Sequence, residues 1–159
     1  MIRYPYNLSK KTNKIYAKNP KITILNFTIH LIGCRVSLMN SLLLYKFTEH
    51  INKYVNDFNM HNFQCTINDI QILKYTKGGH YKLHCDHGPA VPRTLSLIYF
   101  VNDDYQGGDL IFKLINTNDE IKIQNKKNRL IIWPSNFMYP HCVTPVTNGV
   151  RYSVVAWAL

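Results

Sequence analysis

The chain is organised around a stretch near its middle, which reads Tyr75-Thr-Lys-Gly-Gly-His-Tyr-Lys-Leu-His-Cys-Asp86. Side chains alternate along an extended strand, so His84 and Asp86 are expected to point to the same face, where they can bind one metal ion together. A lone His-x-Asp triplet is also common by chance and suits a surface or hydrogen-bonding role. The metal hypothesis therefore depends on a third ligand.

The candidate for that third ligand is His141, far along the chain. Two imidazoles and one carboxylate on one side of an iron ion leave the opposite coordination positions open, an arrangement typical of non-haem Fe(II) oxygenases. Cys85 and Cys142 each adjoin a candidate ligand. Strand alternation is expected to turn both thiols away from the metal.

An arginine begins the last strand-like segment of the chain. The residues that share one face of this segment are Arg151, Ser153, Val155 and Trp157. A buried guanidinium needs an anion, because an unpaired buried charge is very costly. A small dicarboxylate would provide one and would be bound bidentately. A structural salt bridge would serve as well, and the residues alone leave both interpretations open.

Four segments carry a family pattern in a fixed order. They are Tyr75-x-x-Gly-x-x-Tyr81-x-x-His84-x-Asp86, Arg93-Thr-Leu-Ser-Leu-Ile-Tyr-Phe-Val-Asn102, Gly107-Gly108-Asp-Leu-Ile-Phe112, and His141-x-x-x-Pro145-Val-x-x-Gly149-x-Arg151 with Trp157 behind. With these segments, residues 70 to 159 resemble the Fe(II)- and 2-oxoglutarate-dependent dioxygenases, specifically the prolyl 4-hydroxylase-like branch.

The resemblance implies a mostly β fold with a flanking helix, a double-stranded β-helix or distorted jelly roll. It implies Fe(II) held by His84, Asp86 and His141, with 2-oxoglutarate and O2 as cosubstrates, ascorbate as a further reductant, and succinate and CO2 as products. Arg151 would pair with the far carboxylate of 2-oxoglutarate.

Four further residues receive roles from the same resemblance. Tyr75 would help to bind the cosubstrate, whereas Tyr81, Arg93 and Trp157 would contact the substrate. Ordinary packing remains the alternative for Tyr75, Tyr81 and Trp157.

One position departs from the family pattern. Phe100 stands where the relatives place a tyrosine that bonds the far carboxylate, and a phenylalanine cannot donate that bond. Ser153 is a candidate to compensate, because it shares the face of Arg151. The neighbouring Tyr99 is expected to face the other way.

The resemblance favours prolyl residues in a peptide or protein as the substrate. The same chemistry on another side chain, a free amino acid or a nucleobase is the first alternative, and a non-catalytic β-barrel binding module is the second. The nucleic-acid demethylases carry Arg-x-Asn-x-x-x-x-Arg after the distal histidine. Here the chain reads Arg151-Tyr-Ser-Val-Val-Ala-Trp157, which disfavours a nucleic-acid partner.

Length and composition limit the possible domain number, partners and location of the protein. The 159 residues, 46% of them hydrophobic, suit one domain spanning 1–159. The net charge of +10 indicates an acidic partner or simply compositional bias. Four cysteines without a CxxC pair favour a reducing cytoplasm over a disulfide framework. No apolar stretch is long enough to span a membrane, and the sequence carries no signal for an oligomeric state.

The remaining patterns predict the layout of the domain. Residues 1–20 are expected to form a basic arm, residues 21–33 one or two strands, and residues 70–159 the catalytic core of many short strands. Spacings of three and four predict a buttressing helix over residues 37–58, capped by Ser37. Its predicted buried stripe consists of Leu44, Phe47, Ile51, Tyr54 or Val55, and Phe58.

Overall fold

The computed structural model describes residues 23–26, 36–60, 62–115 and 117–159. Within these ranges the chain forms one helix and a series of short antiparallel strands. The elements are β1 Thr23–Asn26, α1 Val36–Asp57, β2 Ile67–Tyr75, β3 Tyr81–His84, β4 Leu95–Phe100, β5 Gln106–Gly107, β6 Leu110–Lys113, β7 Glu120–Ile123, β8 Arg129–Pro134, β9 His141–Val143, β10 Val146–Asn148 and β11 Arg151–Ala158.

The strands form two main sheets that face each other. The larger sheet has the order β1-β8-β4-β11-β2, and the smaller one has the order β3-β9-β6-β7, while β5 and β10 pair separately. Apolar side chains from both sheets fill the space between them. Those with the least exposure are Phe100, Leu110, Phe112, Ile123 and Ile131. This arrangement is the double-stranded β-helix, so the fold prediction is confirmed.

The central strand β4 explains how the larger sheet becomes buried on both faces. All six residues of its sequence, Leu-Ser-Leu-Ile-Tyr-Phe, are buried. Leu95, Leu97 and Tyr99 point toward α1, whereas Ile98 and Phe100 point into the core between the sheets. A strand covered on both sides is expected to be apolar almost throughout, and β4 fits this pattern with Ser96 as its one polar residue.

Helix α1 covers the outer face of the larger sheet, as the periodicity predicted. Its buried stripe is Leu43, Phe47, Ile51 and Tyr54. The prediction of Leu44 in this stripe was wrong, because that side chain is 41% exposed. The capping prediction was also wrong, because the helix begins at Val36 and Ser37 therefore lies inside it.

Some predicted boundaries fall outside the described residues or remain predictions. The basic arm at 1–20 lies outside them, and of residues 21–33 only Thr23–Asn26 is described, as a strand. A single domain over 1–159 stays a prediction.

The structure bears on two expectations drawn from composition, one about membrane-spanning segments and one about the pairing of cysteines. Where the chain is described, no helix has the length and apolar character needed to cross a membrane. The cysteines in the same ranges, Cys65, Cys85 and Cys142, are unpaired. The cytoplasmic location inferred from cysteine usage stays a prediction.

Candidate metal centre and anion pocket

Strand pairing brings the three candidate ligands together. Strands β3 and β9 run antiparallel in the smaller sheet, and their register places His84 directly opposite His141. Asp86 follows just after the end of β3. One ligand atom from each of these three residues lies within 4.8 Å of the other two. The side chains are therefore close enough to share one metal ion.

Both histidines are oriented by the backbone. Nδ1 of His84 donates to the carbonyl of Lys82 at 2.8 Å, and Nδ1 of His141 donates to the carbonyl of Tyr139 at 3.0 Å. A carbonyl oxygen can only accept, so each Nδ1 carries a proton, and each Nε2, which is turned toward Asp86, is the ring nitrogen that would bind a metal when it is unprotonated. The two Nε2 atoms lie 3.3 and 3.4 Å from the oxygens of Asp86. Such backbone bonds are the usual support of metal-binding histidines.

The carboxylate has its own supporting network. The Ser96 hydroxyl donates to Oδ2 of Asp86 at 2.7 Å, and a second hydroxyl, that of Ser135, lies 2.7 Å from Ser96 Oγ. Burial on its own would raise the pKa of Asp86, but the bonds from His84 and Ser96 and the charge of His141 bring it down to about 2. Asp86 is therefore ionised at neutral pH and ready to bind a cation.

The histidines have opposite pKa shifts. Burial would lower the pKa of the half-buried His84, but the bond with Asp86, the bond to the Lys82 carbonyl and the charge of Asp86 together outweigh it, so the net shift of this pKa is upward. Burial lowers the pKa of His141 in spite of the nearby carboxylate. His141 also packs against Trp133, with ring centroids 5.0 Å apart. Two imidazoles and one ionised carboxylate that converge on one point fit a divalent iron ion.

A cavity of about 390 Å³ adjoins these ligands and extends to Arg151. The Arg151 side chain is fully buried, with 0% exposure. Its Nη1 donates to Ser153 at 2.9 Å, while Nε and Nη2 are buried without a hydrogen-bond partner. No carboxylate in the described part of the chain forms an ion pair with it. The structural salt bridge considered above is thus absent there, and the guanidinium has N–H groups available for an anion.

Aromatic rings surround this guanidinium. Its carbon lies 5.2 Å from the ring centre of Tyr75 and 5.4 Å from that of Phe100. Tyr75 lines the cavity, whereas Phe100 is fully buried. Ser153 is also fully buried, and the structure shows it as an acceptor for Arg151. The prediction that Tyr99 faces the other way is confirmed, because it packs on the helix side of β4.

The three residues expected to contact substrate lie around the same cavity. The guanidinium of Arg93 stacks on Trp157 at 3.6 Å from the ring centre, and its Nη1 lies 3.9 Å from Oδ1 of Asp86. The Tyr81 ring is 4.5 Å from that of His84 and is half exposed. The cavity therefore joins the candidate metal centre, the buried arginine and an aromatic wall.

Sequence reasoning missed several neighbours of the ligands. Cys85 lines the cavity, but its thiol lies 3.9 Å from the carbonyl oxygen of Phe137 and is not part of the cluster of three ligands found among the described residues. The hydroxyls of Ser96 and Ser135 were not predicted. Their only sequence signal is that Ser96 is a polar residue inside the apolar run of β4.

The fold and the site together define a double-stranded β-helix protein with a candidate centre of two histidines and one carboxylate. Residues 70–159 match the 2OG-Fe(II) oxygenase superfamily, which is more than half of the chain. The chain therefore belongs to this superfamily, and the recognition made from the four segments is confirmed.

A PKHD-type hydroxylase from Synechococcus sp. (strain CC9902) is 35% identical over 98 residues. The aligned stretch covers 57% of this chain and 41% of that relative, so the chain spans less than half of the relative's length.

Two solved structures have the same fold. A prolyl-4-hydroxylase from Pseudomonas putida superposes with a TM-score of 0.61 at 17% identity, covering 92% of this chain and 74% of that one. A Trichoplax adhaerens prolyl hydroxylase, solved with a hypoxia inducible factor peptide fragment, gives a TM-score of 0.59 at 21% identity, covering 87% and 62%. At these identities the likeness is one of fold.

Proposed function

We propose that this protein is an Fe(II)- and 2-oxoglutarate-dependent dioxygenase that hydroxylates prolyl residues in a peptide or protein. The observation that carries the proposal is the shared cavity. It joins the cluster of His84, Asp86 and His141 to a fully buried Arg151 with two unpartnered nitrogen atoms. A metal-binding cluster and an anion-binding group in one cavity match a cosubstrate with a metal-chelating end and a distant carboxylate.

Different residues of the chain would bind the metal ion and the cosubstrate. His84, Asp86 and His141 would hold Fe(II), and Arg151 would bind the far carboxylate of 2-oxoglutarate. With O2, the bound iron and 2-oxoglutarate supply an oxidative decarboxylation that yields succinate and CO2 and places one oxygen atom on a substrate C–H bond. The apolar walls of the cavity would exclude water from this reaction.

The prolyl substrate is supported by the cavity wall and by the relatives. The Arg93–Trp157 stack and Tyr81 give an aromatic surface with one cation, which suits a pyrrolidine ring and its flanking carbonyl. Proline-rich segments are already extended, so their binding costs less ordering entropy. The Synechococcus relative is named a hydroxylase, and the Trichoplax enzyme was solved with a peptide.

Mass spectrometry with purified protein, Fe(II), 2-oxoglutarate and proline-containing peptides tests the proposal. A gain of one oxygen on proline together with succinate release is the expected result. Succinate release with another compound class, and no change on proline, would replace the prolyl substrate but keep the dioxygenase activity. Absence of succinate with every compound would reject the activity itself.

Ascorbate is proposed as the reductant that keeps the iron in the Fe(II) state. Turnover counted over many cycles with and without ascorbate tests this part. Equal turnover under both conditions would remove ascorbate from the scheme.

A further inference from the structure

A second phenol lies close to the buried arginine, outside all four segments that carry the family pattern. Tyr105 belongs to the loop between β4 and β5, and its hydroxyl oxygen is buried without a hydrogen-bond partner. Burial raises the pKa of Tyr105, and the nearby positive charge of Arg151 acts in the opposite direction. The Tyr105 ring and the Arg151 side chain both lie beside Gly108.

Gly108 accounts for this closeness. Its φ is +62°, and a β-carbon built on it would lie 2.8 Å from Cδ of Arg151 and 3.3 Å from Cε2 of Tyr105. Any side chain at this position would run into the arginine, since 2.8 Å is shorter than carbon–carbon van der Waals contact. The side chains of Arg151 and Tyr105 therefore pack against the backbone of Gly108, where a residue with a β-carbon would not fit.

The guanidinium has one fixed N–H group and others that are free. Ser153 accepts from Nη1, but Nε and Nη2 have no partner, and the ring at Phe100 offers no oxygen. Tyr105 approaches the same side chain from a different element, the β4–β5 loop, and its buried hydroxyl also has no partner. It does not line the cavity, so it would act on a bound molecule only through the arginine.

We propose that Tyr105 is a positioning residue for Arg151, whose hydroxyl holds the guanidinium in the orientation that binds the far carboxylate of 2-oxoglutarate. This inference rests on the proposed function. It also accounts for Phe100, which cannot bond the far carboxylate as the tyrosine of the relatives does. In this chain a phenol from the neighbouring loop would support the arginine that binds the same carboxylate.

Calorimetric titration of the Mn(II)-loaded full chain tests the proposal without turnover. Two ligands are compared, 2-oxoglutarate and oxalate, because oxalate chelates the metal but has no far carboxylate. The variant is Tyr105→Phe, and the matched control is Tyr152→Phe, a partly exposed tyrosine on β11. For Tyr105→Phe we expect 2-oxoglutarate affinity to fall about tenfold, the size of one lost hydrogen bond to a charged group, with oxalate affinity unchanged. The control should bind both ligands like the unaltered protein.

The outcomes separate this inference from the function on which it rests. If the unaltered protein binds oxalate but not 2-oxoglutarate, the proposed function fails and the role of Tyr105 fails with it. If 2-oxoglutarate binds the unaltered protein and Tyr105→Phe equally well, only the role of Tyr105 is overturned. Equal losses for both ligands would also overturn it, because they would show general damage to the site.

Discussion

The two ends of the cavity are built in different ways. At the metal end, each histidine is held by a backbone carbonyl and the carboxylate by a serine hydroxyl. At the arginine end, a fully buried guanidinium has two nitrogen atoms without partners. Buried polar groups are normally satisfied, and each exception calls for an explanation. The metal end is thus preorganised by the fold, whereas the arginine end keeps two nitrogen atoms that a bound anion would satisfy.

The largest expected effect comes from removing the carboxylate at the preorganised end. In Asp86→Ala, two histidines remain without the anion that offsets the charge of a divalent ion. We expect the loss of stoichiometric metal binding and of turnover. Elemental analysis of protein loaded with Fe(II) under anaerobic conditions measures the first, and succinate release measures the second.

Asn68→Ala serves as the control for this change, because Asn68 lies on β2 away from the cluster. Full metal content and activity in Asp86→Ala would show that the ligands lie elsewhere.

The next effect concerns the unsatisfied end. Replacing Arg151 with methionine removes a buried charge that has no ion pair among the described residues. Apolar replacements of buried charges are often neutral or stabilising, so the unliganded variant should melt no lower than the unaltered protein. Its affinity for 2-oxoglutarate should fall about tenfold or more, because a charge-assisted bidentate contact is lost. Thermal melting with and without 2-oxoglutarate checks both parts.

Two results would contradict the comparison between the ends. A large drop in the melting temperature of unliganded Arg151→Met would show that the charge of the guanidinium is already compensated by an anionic group of the protein. Unchanged 2-oxoglutarate affinity would place its far carboxylate at another group.

A smaller effect is expected from the support of the carboxylate. Ser96→Ala removes the hydroxyl that donates to Asp86 and leaves the three candidate ligands in place. Loss of such supporting bonds weakens metal binding by about tenfold or somewhat more. Competition with a chromogenic chelator measures the change. Ser135→Ala, which leaves the Ser96–Asp86 bond intact, should cost less, and an equal cost for both would mean that the bond to Asp86 is not the important one.

The smallest change restores the family pattern at the arginine end. Phe100→Tyr adds one hydroxyl to a ring whose centre lies 5.4 Å from the guanidinium carbon. We expect the variant to fold and to bind 2-oxoglutarate either equally well or about threefold more tightly. A gain of this size is within the free energy of one neutral hydrogen bond. Calorimetry detects this difference. Weaker binding would show that the buried position has no room for the oxygen.

The sequence allowed the polar centre to be predicted better than its surroundings. His84, Asp86 and His141 could be grouped because the chemistry of metal ligands restricts residue type and spacing. The Ser96–Ser135 pair could not, because it forms only when β4 and β8 are adjacent in the larger sheet. The position of Tyr105 depends likewise on a loop conformation that a motif does not encode.

The error in the helix has a local cause. Leu42, Leu43 and Leu44 are consecutive, so the apolar periodicity fits more than one choice of buried face. The sheet decides between them, because the packed face must meet the side chains of β4 and β11. The helix start was missed by two residues, because a cap at Ser37 would make Leu38 the first helical residue, whereas the helix begins at Val36.

Strand β3 stands at the edge of the smaller sheet, and within the described residues its ladder partner is β9 alone. An edge strand of four residues has few backbone bonds to hold it in place. An ion shared by His84 and His141 would cross-link this strand to its neighbour at one of the two positions where their residues pair. Slippage of β3 by one residue would then require breaking a coordination bond. The bound ion would therefore stabilise the register of the edge strand in addition to its role in the reaction.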